Sequence, residues 1–145
     1  MADGGFNIAK GAIVEKFRDG AANGGVLLLK VNETVADLID RATLAALLAA
    51  ANTEADFTNY ARKTGLTGTI TVDNVNDRVD TDLPDQTWAV AGGATNNSLT
   101  KFIPYYQESA ADSGRIPLTH HDFVLTTDTS DITAQLNAAG FHRAT

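Results

Sequence analysis

"TITVDNVNDRVDTDLPDQTWAV", residues 69–90, decides how this chain is read. Two runs within it alternate with a period of two. "TITVD" sets Ile70 and Val72 on one face. "RVDTDL" sets Val79 and Leu83 on one side and Arg78, Asp80 and Asp82 on the other. Successive strand residues point to opposite faces, so the pattern predicts two half-buried strands. "DNVND" between them and "LPD" after them carry turn residues. The same stretch holds five aspartates and Trp88, the single tryptophan of the chain, so a carboxylate site is the competing reading. Calcium asks for roughly six to eight oxygens from closely spaced ligands. A D-x-[DN]-x-[DN]-G loop begun at Asp73 meets Val75 at its third position, and one begun at Asn74 meets Arg78 at its fifth. The stretch therefore reads as a hairpin with a wet acidic face.

Working outward, the period of two continues from Glu54 to the end. "FTNYARKT", "QTWAV", "LTKFIPYY", "IPLTHHDFVLTT" and "ITAQLNAAGF" are strand-like, with "GGATNN", "ESAADSG" and "TDTSD" between them as turns. Pro104 and Pro117 fall inside such runs and predict edge strands, because proline cannot donate to a central ladder. Upstream, "VLLLKV" (Val26 to Val31) is a continuous apolar run and predicts a buried strand. "TVADLIDRATLAALLAAANTE" is helical in composition, with Leu44, Leu47, Leu48 and Ala51 on one face. Thr34 with Asp37 matches a capping box, Thr43 is a second N-cap and Asn52 a stop. Residues 8–18 predict a short amphipathic helix with Ile13 and Phe17 on one stripe, weakened by Gly11 and ended by "DGAANGG". The expected fold is mainly β, an antiparallel β-sandwich or barrel with one or two N-terminal helices. It forms one domain over 1–145, with a helical N-terminal arm and first strand in 1–55 and a β core in 56–145.

The bulk numbers narrow the function class. A chain of 145 residues with 43% hydrophobic and 20% charged residues can bury one ordinary core. Eleven basic against eighteen acidic residues give a formal charge of −7. That balance argues against nucleic acid and against anionic membranes, both of which are gripped by Lys and Arg. Cysteine is absent, which removes disulfides, thiol catalysis and zinc-thiolate sites. "MADGGFNIAK" does not read as a secretory signal, and "VLLLKV" and "LAALLAAA" are far shorter than the ~20 residues that span a bilayer. The sequons at Asn32 and Asn96 then carry no meaning.

The chemical inventory is short. In "THHDF", His120 and His121 are adjacent and point to opposite faces of a strand, so they do not hold one ion together and read as surface or interface histidines. His120 and Asp122 share a face, but a zinc site needs further ligands and only His142 remains. Ser98, Ser109, Ser113 and Ser130 sit in turn-like contexts, none in G-x-S-x-G. No phosphate-binding glycine loop is present. Trp88, Tyr105 and Tyr106 read as core aromatics first, and as a stacking platform for a sugar or a base only if exposed. No catalytic residue, metal ligand or cofactor is expected.

The string "FTNYARKTGLTGTITVDNVNDRVDTDLPDQTWAVAGGATNNSLTKFIPYYQ", followed by "IPLTHHDFVLTTDTSDITAQLNAAGFHRA", resembles a group of small proteins of tailed bacteriophages, especially those of actinobacteria. "FNIAKGAIVEKF" and "ATLAALLAAANTEADF" fit the same group, so the resemblance spans nearly the whole chain. Its most distinctive parts are "YARKT", "VDNVNDRVDTDLPDQTW" and "LNAAGFHRA". The resemblance implies a non-enzymatic virion structural protein, assembled in the bacterial host cytoplasm. The preferred place is the capsid surface, as a decoration or minor capsid protein that binds the major capsid protein and copies of itself, as a homo-oligomer and preferably a trimer. A tail, neck or baseplate component is the alternative within that class, and a carbohydrate-binding module the alternative outside it. Candidate contact residues are Phe6, Ile8, Ile13 and Phe17 in the arm and Arg62 and Lys63 in "YARKT".

Overall fold

The longest apolar run becomes a strand covered on both faces. In the computed structural model, which describes residues 4–6, 21–137 and 140–144, "GGVLLLKV" forms the second strand, and Val26 to Leu29 have no solvent exposure. In chain order the elements are β1 (Gly4–Gly5), β2 (Gly24–Val31), α1 (Val35–Leu38), α2 (Leu44–Ala49), β3 (Thr53–Glu54), β4 (Lys63–Leu66), β5 (Thr69–Asp73), β6 (Arg78–Asp82), β7 (Gln86–Trp88), β8 (Ser98–Gln107), β9 (Arg115–Pro117), β10 (Thr119–Thr126), β11 (Ile132–Ala134) and β12 (His142–Ala144). A 3-10 turn, Asp112–Gly114, precedes β9. The helix expected at 8–18, with Ile8, Ile13 and Phe17, lies outside the described residues.

The fold is mainly β, antiparallel and sandwich-like, and it is not a closed barrel. Its large sheet runs β1-β10-β8-β2-β3, with β4 continuing the β3 edge of β2 and β9 continuing the β10 edge of β8. Two smaller sheets, β11-β7 and β12-β6-β5, make up the rest. Alternation sorts β2 into two faces, Gly24, Val26 and Leu28 against Gly25, Leu27 and Leu29. Both glycines make room. A side chain on Gly24 would strike Leu83 at 2.5 Å, which places the β6–β7 connection over that face. One on Gly25 would strike the Tyr105 ring at 2.2 Å. β2, assigned from the sequence to the N-terminal part, is thus bonded along its length to β8 at the middle of the sheet. α2 buries Leu44 and Leu47 and lies against β9 and the 3-10 turn.

Three expectations need correction. Pro104 does not mark an edge: β8 has neighbours on both sides. The Pro104 carbonyl accepts from Leu118 N at 2.9 Å, so the ring nitrogen faces the same side, where β9 ends and β10 begins. The missing donor falls at that break, which is why a central strand tolerates it. Pro117 does lie on an edge strand, β9. The long helical stretch splits into two short helices, because Thr43 starts a new one by accepting from Ala46 N at 3.1 Å. Thr34 also caps, accepting from Asp37 N at 3.3 Å, and Asn52 closes the region by donating to Leu47 O at 2.9 Å. Finally, "FTNY" and "QLN" are irregular, and strand structure begins only at Lys63 in the first case and ends at Ala134 in the second.

Candidate functional site

The opening stretch folds as the predicted hairpin, with Asp73 opposite Arg78 and Val72 opposite Val79. Asp73 holds the turn by accepting from Val75 N, Asn76 N and Asn76 Nδ2. The expected wet face is only partly wet. Asp80 is 8% exposed, because Arg78 and Arg143 lie over its carboxylate at 3.1 Å and 2.7 Å. Arg143 comes from β12, which the register places directly opposite Asp80. Asp82 is half-buried, and burial first of all raises its carboxyl above the usual range, with Asp85 adding to it. Asp73 and Asp80 meet only on Arg78, whose Nε lies 3.1 Å from each carboxylate. Among the described residues no three His, Cys, Asp or Glu side chains are placed to hold a metal ion.

Arg62 and Lys63 are both engaged within the chain. The Arg62 guanidinium spans two carboxylates. Nε and Nη2 donate to Glu54, each at 2.6 Å, and Nη1 donates to Asp112 at 2.5 Å. Arg115 shares Asp112 at 2.9 Å and stacks over the Tyr105 ring at 5.6 Å, while Tyr60 donates to Glu54 at 2.8 Å. The Glu54 and Asp112 hydrogen bonds hold Arg62 more firmly protonated than usual, and the Arg62 bond in turn lowers the Asp112 carboxyl. This network fastens the 57–66 segment to β3 and to the 3-10 turn. Lys63 Nζ donates to Thr87 O at 2.8 Å and sits 5.1 Å from the centre of the Trp88 ring.

The remaining candidates are also drawn inward. Phe6 is fully buried, with its ring edge-on to His120 at 5.9 Å. His120, read as a surface or interface histidine, is 1% exposed and belongs to the core. Trp88 donates to Ala61 O at 2.8 Å and is 2% exposed, and Tyr105 is fully buried. Neither offers the open ring face that sugar stacking needs. A cavity of about 290 Å³ lies between β10 and the chain after β11, floored by Phe102, Phe123, Leu136 and Phe141.

What the surface does present is isolated valines. Val75 at the hairpin turn is 91% exposed, Val124 on β10 is 82% exposed and Val72 on β5 is 62% exposed. The sequence offered no signal for Val124. The pairing of β10 with β8 shifts register between Asp122 and Leu125, and a bulge of that kind re-aims side chains. Comparison with protein-family models, with curated proteins and with solved structures gave no match to this chain.

Proposed function

We propose that this chain is a non-enzymatic structural protein of a tailed-phage particle, most simply a capsid decoration or minor capsid protein that binds the major capsid lattice as a homo-oligomer. One observation carries this reading. The three stretches most distinctive of the resemblance meet each other in the fold. "YARKT" packs on the end of "VDNVNDRVDTDLPDQTW", through Ala61 with Trp88 Nε1 and Lys63 with the Trp88 ring. The same stretch pairs through β6 with His142 to Ala144 of "LNAAGFHRA". What marks the sequence is therefore the fit of its parts, which suits a building block.

Of the candidate contact residues, Ile8, Ile13 and Phe17 lie outside the described residues and stay candidates. Phe6 is core, and Arg62 and Lys63 serve the chain itself. The β5–β6 hairpin, with Val72 and Val75 exposed, is a further candidate for touching a neighbour. Exposed apolar side chains at such a tip add contact area, and many symmetric copies multiply a weak contact through avidity.

The test is reconstitution. Particles lacking the protein are mixed with the purified chain and imaged. Density at regular positions on the head is the expected result, and Val75→Lys should weaken co-sedimentation with heads by about tenfold or more, given the multiplied contact. Density confined to the tail would replace the capsid reading with the tail one. No density on the particle would refute both.

A further inference from the structure

Lys101 sits where a lysine is least at home. It lies in β8, in the middle of the large sheet, with Leu29 opposite it on β2 and Asp122 opposite it on β10. It is 4% exposed. Leu27, Leu29, Leu99 and Ile103 share its face and are at most 1% exposed. His120, the preceding residue of β10 on that face, is buried too, under Phe6. Within this dry surround Lys101 Nζ donates to Asp122 Oδ1. Lysine is almost never buried this deeply without a partner. Yet a buried ion pair gains little over apolar residues of similar volume, so charge pairing is a weak reason to keep one here.

We propose that Lys101 and Asp122 condense into an intrachain isopeptide bond that joins β8 to β10. The amine and the carboxyl are held in contact by the register of the two strands, which supplies the proximity that amide formation lacks in solution. Burying an ammonium among aliphatic side chains costs free energy that its one carboxylate partner only partly offsets. The proton passes from Nζ to the carboxylate along the existing hydrogen bond, leaving an amine beside a carboxylic acid. The amine lone pair adds to Cγ, the bond from Cγ to the hydroxyl oxygen breaks, and that hydroxyl leaves with one nitrogen proton as water. Nothing is oxidised or reduced, and no co-reactant is consumed. The Asp122 side chain is 29% exposed, so the water has a route out. The product is a neutral amide in place of an ion pair whose lysine is buried, a covalent tie in a chain that has no cysteine.

The molecule contains its own control. Lys30 and Asp56 form a second lysine–aspartate pair at 2.6 Å, but their side chains are 26% and 60% exposed. Water solvates both charges there, and that pair stays ionic.

The intact mass of the folded, purified chain, taken fresh and again after a day at growth temperature, decides the matter. The expected mass is one water below that of the sequence. Tryptic digestion should then give no cleavage after Lys101, normal cleavage after Lys30, and a branched peptide joining the β8 and β10 segments. Lys101→Arg and Asp122→Ala should each restore the full mass. Asp122→Asn should lose ammonia instead of water and converge on the same crosslinked mass as the natural chain. A full mass at both times, or a lost water mapped to another residue, overturns the proposal. Binding to particles does not enter this readout, so its outcome is separate from that of the function proposed above.

Discussion

β2 and β6 both bury most of their middle residues, and they do so by opposite means. β2 is aliphatic on both faces, and Val26 to Leu29 are sealed by neighbours that the strand does not choose chemically. β6 reads "RVDTD", yet Asp80 and Thr81 are as buried as many core residues, at 8% and 4% exposed. Asp80 is covered by the arginines that neutralise it. One strand is buried because water is unfavourable around it. The other is buried because specific partners arrive from β12 and from its own end. The first kind of burial depends on area and the second on particular pairs.

The contrast can be broken at its strong end first. Leu28→Ala should cost about 3 kcal/mol, the usual range for a leucine lost from a tight core, measured by urea denaturation. Asp80→Ala should cost about 1–2 kcal/mol, less than a fully buried pair would, because its arginines keep 28% and 40% of their side-chain exposure. The two losses should also differ in salt response. Raising the ionic strength should shrink the Asp80 effect and leave the Leu28 effect unchanged. An Asp80→Ala chain as unstable as Leu28→Ala, with no salt response, would erase the distinction.

Val90 offers a smaller effect of opposite sign. It adopts φ 49°, a left-handed conformation that a β-branched residue resists, and is held there by Asp131 accepting from its N–H and Asn59 donating to its carbonyl. Val90→Gly should raise stability by about 0.5 kcal/mol, the strain relief minus the entropy that glycine adds to the unfolded chain.

The smallest effect separates two aspartates by pH. Asp82 has a carboxyl raised by burial above its unfolded value of 3.8, so its charge opposes folding at neutral pH and ceases to do so as pH falls through the raised value. Asp82→Asn should therefore stabilise slightly at pH 7 and have no effect near pH 3. Asp112 runs the other way. Its carboxyl is lowered, first by the Arg62 bond, so its contribution is complete above 3.8 and is lost as pH falls below that value. Asp112→Asn should destabilise at pH 7, and thermal melts across pH 3–7 should show the two variants diverging from the natural chain in opposite directions.

Much of the architecture was legible residue by residue. "VLLLKV" announced a buried strand through an unbroken apolar run, and "TITVD…RVDTDL" announced a hairpin through its period and turn. Thr34 and Thr43 were readable as caps because a hydroxyl before a helix meets amides that have no other partner. The sites of interest were less legible. Nothing local in "THHDF" says that His120 points inward, or that Asp122 meets Lys101, because both follow from the register between β8 and β10. Arg62 reads as a candidate contact residue from the sequence, because its two carboxylates lie 8 and 50 positions away.

By itself, then, the order of residues determined which segments extend, where they turn and which stripes seek the interior, since those properties arise within a few neighbouring residues. The tertiary structure alone decided which polar groups are buried, which charges are paired and which valines are left outside. Those outcomes depend on strands distant in sequence coming together, and on what each finds across the 5 Å or so that separates neighbouring strands.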